Sequence, residues 1–213
     1  MQRDPYSRKY RSHPSHPLNQ FFDAIYFINL IDRPNRRKNI EQQLERFGIS
    51  ARCYQAIRPT SVGKYSTLGL RGCAESHFNI IKLSKSSKYN NVLIFEDDIV
   101  IHSNFNKIIH DVLKELEQLP WDMFYFGYEL HAHNSQLANP NGIIYKLCWT
   151  FLAHAYAINA RLFDEILSHQ NKIDEHSSID GIYVHGIQNH HNIYGINLID
   201  QNHTFKSDIQ NAP

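Results

Sequence analysis

The sequence predicts an α/β domain built on a wound, mostly parallel sheet. Short apolar runs without a helical period, such as Val92–Phe95, are typical of strands buried on both faces. Segments with helical spacing of apolar residues lie between these runs, so strands alternate with helices along the chain. A chain of 213 residues is long enough to form one such domain with a sizeable core.

The predicted strands are short apolar runs. Each is too short for an average helix, and several end at polar or turn-forming residues. They are Ala24–Leu30, Val92–Phe95, Trp121–Gly127, Ile143–Leu147, Phe151–Ile158 and Ile193–Ile199.

The predicted helices are recognised by their apolar spacing and their capping residues. Asp32 or Asn35 can cap the first helix, Pro34 suits its first turn and Gly48 ends it. Tyr128–Gly142 is polar and is predicted to be a loop or lid. The other three helices run from about Cys73 to Ser84, from the Ser103 cap to Gln118, and over Arg161–Ser168.

The composition is that of an ordinary globular protein, with 42% hydrophobic residues and a formal net charge of +1. This charge gives no reason to expect a nucleic-acid partner or strong membrane attraction. No apolar run approaches the roughly 20 residues that span a bilayer, and no secretory signal is recognisable. Cys53, Cys73 and Cys148 are expected to be reduced side chains rather than disulfides or zinc ligands. We therefore expect a cytoplasmic protein that has at most peripheral contact with the inner membrane.

Two regions differ in character. Residues 1–20 are polar and include three prolines, which predicts a flexible tail. A basic arm that touches anionic lipid head groups is the alternative interpretation of this segment. Residues 21–213 are predicted to form a single domain without internal repeats.

Three consecutive carboxylates, Glu96, Asp97 and Asp98, follow the strand Val92–Phe95. They repel one another unless a cation or solvent neutralises them, and ligands of open α/β sheets bind at this end of the strands. In an extended segment Glu96 and Asp98 project to one side and Asp97 to the other. Glu96 and Asp98 could then hold one Mg²⁺ or Mn²⁺ ion that carries a phosphorylated substrate. Capping of a turn or of the next helix is the alternative role.

Cationic side chains follow the first strand. Asn29, Arg33 and Arg36 lie where a helix begins, and a helix dipole disfavours cations there unless an anion shares the site. Because Arg binds phosphate through two parallel hydrogen bonds, a phosphate group is the expected anion. For Arg37 and Lys38 a solvated helix face is an equally good interpretation.

Other candidates are more scattered. Gly69 and Gly72 would permit close approach of a ligand, and Ser76 and His77 are predicted to lie in the first turn of the following helix. A structural role is the alternative for His77.

Late in the chain, His154, Asp180 and His203 are further candidates for a site. An aspartate before a glycine is more often a turn residue than a base. A lone histidine is likewise more often a structural residue than a functional one.

Taken together, the segments resemble glycosyltransferase family 25, which contains bacterial lipooligosaccharide sugar transferases and relatives of the collagen galactosyltransferases. Their order and spacing carry the resemblance over nearly the whole predicted domain. The matching segments are Ile28–Arg37, Gly72–His77, Leu93–Asp98, His154–Leu162, the surroundings of Asp180, and Ser207–Ile209.

The resemblance implies a GT-A type, Rossmann-like nucleotide-binding fold, a UDP-sugar donor, commonly UDP-galactose, and inversion at the anomeric carbon. It implies that Asp98 binds Mn²⁺ or Mg²⁺ and that Glu96 serves the metal or the ribose. His203 is the first choice for a histidine ligand of the metal, and His154 is the second. Asp180 is the candidate base. The nucleotide would be bound by Asn29, Arg33, Arg36, Ser76, His77 and Glu96.

The predicted function is that of a hexosyltransferase acting on a glycan, glycolipid or glycoprotein acceptor, including lipooligosaccharide. A non-catalytic relative that binds a nucleotide or a glycan is the alternative. A phosphoaspartyl phosphatase would need an aspartate where Glu96 stands, and a receiver domain would place its acids near the first strand. The sequence identifies neither the acceptor nor, beyond the habit of the family, the donor sugar.

Overall fold

The computed structural model describes residues 16–130, 135–173, 178–202 and 204. Its α-helices over these residues are α1 (Pro17–Phe21), α2 (Pro34–Phe47), α3 (Leu68–Ser86), α4 (Phe105–Glu117), α5 (Phe163–His169) and α6 (Ile179–Ile182). The strands are β1 (Ala24–Asn29), β2 (Arg52–Gln55), β3 (Asn91–Glu96), β4 (Ile99–Ile101), β5 (Met123–Tyr125), β6 (Glu129–Leu130), β7 (Gln136–Leu137), β8 (Tyr145–Lys146), β9 (Thr150–Phe151), β10 (Ala155–Asn159), β11 (Ile193–Gly195) and β12 (Ile199–Gln201).

Eight of these strands form the central sheet, in the order β2-β1-β3-β10-β5-β11-β8-β7. β1 is parallel to β2 and β3, and β11 is parallel to β5. β10 is antiparallel to β3 and β5, and β8 is antiparallel to β11 and β7. Six of the eight strands therefore point the same way, which confirms the predicted α/β class with a mostly parallel sheet.

Helices cover both faces of the sheet, which explains why its central strands are apolar throughout. In β1, Ile25 and Phe27 pack in one core cluster with residues of α2 and α4. Ala24, Tyr26 and Ile28 pack in the other, with residues of α3 and α5. Successive residues of a strand point to opposite faces, so every residue of β1 is buried.

The folded part begins earlier than predicted. His16 accepts a hydrogen bond from the backbone N–H of Leu18 and caps α1, and the Leu18 side chain is buried against the core. Residues 17–20 therefore belong to the domain, and the predicted boundary of the tail at residue 20 is too late. Residues 1–15 lie outside the described residues.

Helix boundaries differ from prediction where the capping residue was misjudged. α3 begins at Leu68, because the Thr67 hydroxyl accepts from the backbone N–H of Leu70. Ser76 and His77 consequently lie near the middle of α3 rather than in its first turn. Arg33 is the N-cap of α2 and Asn104 that of α4, and neither makes a side-chain capping hydrogen bond.

Long predicted strands are interrupted in the structure. The predicted strand Phe151–Ile158 is split into β9 and β10, and Leu152 between them has a positive φ of 74°. The predicted strand Ile193–Ile199 is likewise split into β11 and β12. The predicted loop Tyr128–Gly142 contains the two-residue strands β6 and β7, and residues 131–134 within it lie outside the described residues.

Two short strands have no counterpart in the prediction. β2 is an edge strand of mixed polarity, and β4 is a three-residue strand paired with β12. Within the described part of the chain, no helix combines the length and the apolar character needed to cross a membrane.

Candidate active site

A cavity of about 230 Å³ opens where the carboxyl ends of β1 and β3 meet. The chain passes from β1 to β2 on one side and later to β3 on the other, so the strand order reverses at β1. Open α/β sheets bind ligands in the crevice at such a switch point. The cavity is lined at the strand ends by 28–30 and 96–98, along one wall by residues of α3, and elsewhere by Arg36, 56–59 and Gln201.

Asp97, Asp98 and Arg36 form a largely buried ion-pair network in this cavity. Arg36 Nε lies 2.9 Å from Asp97 Oδ1, and Arg36 Nη2 donates to Asp98 Oδ2 at 2.6 Å. Asn29 Nδ2 donates to Asp97 Oδ2 at 2.6 Å, and Gln201 Nε2 donates to Asp98 Oδ2 at 3.3 Å. One guanidinium therefore offsets the charge of two adjacent carboxylates.

The prediction that Asp97 points away from Glu96 and Asp98 is wrong. The strand ends at Glu96, and Asp97 and Asp98 form the turn that leads into β4. The alternation of extended backbone stops at the end of the strand, so all three acids line the cavity.

Burial and mutual repulsion raise the pKa values of Glu96 and Asp97. Burial, reinforced by the charge of Asp98, raises the pKa of Glu96 to about 8. Burial raises the pKa of Asp97 to about 6, against the opposing effects of Arg36 and the hydrogen bond from Asn29. In the absence of a bound cation, Glu96 therefore holds its proton near neutral pH, as expected for crowded carboxyl groups.

Glu96 also contacts two residues of α3. Its Oε1 lies 3.3 Å from His77 Nε2 and 3.8 Å from Cys73 Sγ. His77 Nδ1 lies 2.7 Å from the Tyr156 hydroxyl, which lies 2.8 Å from that of Tyr183. Burial lowers the pKa of His77 to about 3, so its imidazole is neutral. The predicted nucleotide contact His77 is thus held deep in the cavity wall.

Two buried acceptor atoms suit the divalent ion that the resemblance implies. Among the residues that the structure describes, Asp98 Oδ1 and His154 Nδ1 have no hydrogen-bond partner. His154 Nε2 donates to the carbonyl oxygen of Ile199 at 2.9 Å, which leaves Nδ1 as a lone-pair acceptor. A carboxylate and an imidazole are ligands that Mn²⁺ accepts. Each of the two atoms is therefore chemically suited to bind such an ion, although Arg36 already contacts the other oxygen of Asp98.

The remaining predicted residues are less directly placed at the cavity. The Ser76 hydroxyl lines it, but donates to Gly72 O at 2.6 Å and accepts from the backbone N–H of Ile57 at 2.9 Å. Arg33 is exposed and is not part of the described lining. His203 lies outside the described residues.

Asp180 lies in the first turn of α6 and is half-buried. It does not belong to the described lining, yet its charge is close enough to raise the pKa values of Glu96 and Cys73. The predicted base therefore lies outside the described lining and acts on these two groups through its charge.

Four polar residues of the lining were not among the predicted site residues: Cys73, Asp97, Arg58 and Gln201. Asp97 belongs to the acidic run and could have been chosen from its position alone. Gln201 reaches Asp98 only because β12 pairs with β4, a contact that joins distant parts of the chain. Arg58 is an exposed residue paired with Asp32 at 2.7 Å, and no local pattern marks it.

An α/β domain with an acidic, arginine-lined crevice at its switch point belongs to the general class of nucleotide-binding domains. The family model for glycosyltransferase family 25 (LPS biosynthesis protein) matches residues 60–184. Because this match covers more than half of the chain, the protein belongs to glycosyltransferase family 25. The predicted family is confirmed.

Some relatives of this chain are named as transferases, and others are named as inactive. The chain is 30% identical over 137 residues to probable inactive glycosyltransferase 25 family member 3 of Bos taurus, covering 54% of this chain and 23% of that protein. It is 28% identical over 134 residues to procollagen galactosyltransferase 1-A of Xenopus laevis, covering 52% of this chain and 22% of that protein. The chain thus spans about a quarter of the length of these relatives.

Among solved structures, the chain is similar to a glycosyltransferase involved in the glycosylation of the major capsid of PBCV-1. The TM-score is 0.49 at 11% identity, and the match covers 82% of each chain.

Proposed function

We propose that this chain is an inverting glycosyltransferase domain that transfers a sugar, galactose in the first instance, from a UDP-sugar to a glycan or lipooligosaccharide acceptor. The observation that carries the proposal is the cluster Glu96, Asp97 and Asp98 in the crevice at the switch point of the sheet. Membership of the family supports transferase activity, and the name of the Xenopus laevis relative supports galactose as the sugar.

The donor diphosphate is proposed to bind at the Arg36 side of the cavity. Arg36 is held in place by Asp97 and Asp98, and its planar guanidinium suits phosphate oxygens. Arg58 lines the same cavity beside the end of β1 and adds a second cation. Asn29 holds Asp97 in its turn and so supports the site without needing to touch the nucleotide itself.

Mn²⁺ or Mg²⁺ is the proposed cofactor. Asp98 and His154 would hold the ion, because each presents a buried acceptor without another described partner. His203 and Glu96 stay predicted ligands. When bound, a divalent ion neutralises the charge that develops on the leaving diphosphate.

Asp180 is the proposed base. Its carboxylate would accept the proton of the acceptor hydroxyl while the hydroxyl oxygen bonds to the anomeric carbon. The bond from that carbon to the diphosphate oxygen breaks, and its electron pair leaves with UDP. Attack from the opposite face inverts the anomeric configuration. The half-buried position of Asp180 and the effect of its charge on the pKa of Glu96 support this assignment.

One observation favours a second function, a non-catalytic nucleotide- or glycan-binding relative. Arg36 already neutralises Asp97 and Asp98, which are the residues expected to recruit a metal ion. Several similar proteins are named as inactive. A chain that has replaced the ion with an arginine would bind UDP but would not turn over.

Release of UDP from UDP-sugars tests the proposal. The purified chain is incubated with UDP-galactose, UDP-glucose or UDP-N-acetylglucosamine and Mn²⁺, and free UDP is measured. We expect release from at least one donor, with loss of the signal in Asp98→Asn. Asp200→Asn is the matched control, because Asp200 lies in neighbouring β12 and its exposed carboxylate contacts His102. Binding of UDP without release from any donor would instead establish the non-catalytic function.

The setting of the reaction stays a prediction. We propose a cytoplasmic protein with at most peripheral membrane contact and an acceptor that is a glycan, a glycolipid or a glycoprotein.

A further inference from the structure

Three metal-binding side chains meet at the inner end of the cavity. Cys73 Sγ, one imidazole nitrogen of His77 and one carboxylate oxygen of Glu96 all lie within 4.8 Å of one another. Glu96 Oε1 is 3.3 Å from the imidazole nitrogen and 3.8 Å from the sulfur. In a tetrahedral zinc site with bonds of about 2.0–2.3 Å, ligand atoms stand roughly 3.3–3.6 Å apart. The two contacts of Glu96 are therefore close to the separations that one zinc ion would impose, and the third pair lies within 4.8 Å.

The fold brings these ligands together from two elements. Cys73 and His77 are one turn apart in α3 and so share a face of the helix. Glu96 ends β3, where its backbone N–H donates to the carbonyl oxygen of His154 at 2.8 Å. Two ligands on a helix and one on the adjacent strand give a rigid set that does not depend on a loop.

The histidine also has the supporting contact that zinc sites use. His77 Nδ1 lies 2.7 Å from the Tyr156 hydroxyl, which is itself bonded to the hydroxyl of Tyr183. When Nδ1–H donates to Tyr156, the lone pair of Nε2 is left for a metal ion. Partners of this kind fix the tautomer and the orientation of a ligating imidazole.

We propose that Cys73, His77 and Glu96 bind one Zn²⁺ ion, with a fourth position open to the cavity for water or a phosphate oxygen. The thiol and the carboxyl group release their protons to solvent on binding. This site shares no ligand with the pair Asp98 and His154 proposed for Mn²⁺, and its thiolate favours zinc over Mn²⁺. It also assigns Glu96 to zinc and leaves Asp98 for the catalytic ion, contrary to the sequence-based expectations for Glu96 and for the cysteines.

The proposal goes beyond the transferase function, because a zinc ion would join α3 to β3 whether or not the chain turns over. It also explains the placement of Glu96. A partly buried carboxyl group beside Asp98 is costly when ionised, and a dication is the partner that would offset this cost.

Metal titration of the chelator-treated protein tests the site. Co²⁺ is added as a spectroscopic probe, the thiolate-to-cobalt absorption is recorded, and Zn²⁺ is then used to displace Co²⁺ in competition with a chromophoric chelator. We expect one equivalent per chain. Cys73→Ser should abolish the absorption and weaken zinc binding by on the order of 100-fold. Cys148→Ser is the matched control and should leave both unchanged, since Cys148 lies outside the described lining.

A second variant and a stability measurement separate a lost ligand from a lost fold. Glu96→Gln should weaken zinc binding while keeping the thiolate absorption, and Zn²⁺ should raise the thermal midpoint of the wild type but not of Cys73→Ser. Zinc affinity that is unchanged in both Cys73→Ser and Glu96→Gln would overturn the site, as would equal loss in Cys148→Ser. Asp98→Asn should lose UDP release but still bind zinc. The two measurements therefore distinguish a failure of the transferase proposal from a failure of the zinc proposal.

Discussion

Arg36→Met removes the cation that Asp97 and Asp98 share. The side chains of Arg36, Asp97 and Asp98 are only 13%, 9% and 8% exposed. Removing one partner of a buried ion pair costs about 3–5 kcal/mol, and access of solvent through the cavity favours the lower value. Arg37→Met is the matched control, because its pair with Glu41 is 46% and 37% exposed and should contribute less than about 0.5 kcal/mol. We therefore expect about 3 kcal/mol of destabilisation for Arg36→Met at pH 8.

The destabilisation caused by Arg36→Met should be larger at pH 8 than at pH 5. The pKa of Asp97 is already raised to about 6, and removal of Arg36 raises it further, because the guanidinium favours the ionised form. Protonation relieves the unpaired charge, so the loss should shrink below about 1 kcal/mol at pH 5. Urea unfolding of metal-free protein, followed by tryptophan fluorescence at pH 5 and pH 8, measures both values. A loss at pH 8 within about 0.5 kcal/mol of that of Arg37→Met would refute the described network.

Three further predictions concern the base, the buried carboxyl and a close backbone contact. Asp180→Asn should lower turnover by about 10²–10⁴-fold and leave UDP affinity unchanged; normal UDP release by this variant would place the base elsewhere. The wild-type pKa of Glu96, raised to about 8 from 4.5, means that stability is lost as pH rises from about 5 to 8. Glu96→Gln should abolish this loss. If the thermal midpoints of the metal-free wild type and of metal-free Glu96→Gln fell in parallel, Glu96 would not be the group responsible. Gly127→Ala should cost about 3 kcal/mol in urea unfolding, because its Cβ would lie 1.9 Å from Ile199 O and 2.3 Å from His154 Nε2; an unchanged midpoint would contradict that contact.

The architecture was predictable because the central strands are buried on both faces. β1 and β3 are apolar along nearly their whole length, and the helix α4 carries a clear apolar face, so their positions follow from local pattern. β2, β4 and the loop strands β6 and β7 escaped this reasoning, because strands of two to four residues depend on their partners more than on their own composition.

The site was predictable only in part. The position of Glu96–Asp98 at the end of a buried strand identified the crevice, and Arg36 was expected nearby. The pairing of Arg36 with Asp97 was missed, because the alternation of extended backbone was assumed past the end of the strand.

The contact of Glu96 with Cys73 and His77 was missed for a different reason. It depends on how α3 packs on β3, and no sequence pattern specifies that packing.

In the proposed function, the acidic cluster binds UDP through a divalent ion held by Asp98. Calorimetric titration of UDP into the wild-type chain and Asp98→Asn, each with and without Mn²⁺, tests it most directly. We expect Mn²⁺ to tighten UDP binding to the wild type by at least about tenfold, or about 1.4 kcal/mol, and to have no effect on Asp98→Asn. Equal UDP affinity of the wild type with and without Mn²⁺ would contradict a role of the metal ion in UDP binding. It would favour binding through Arg36 alone.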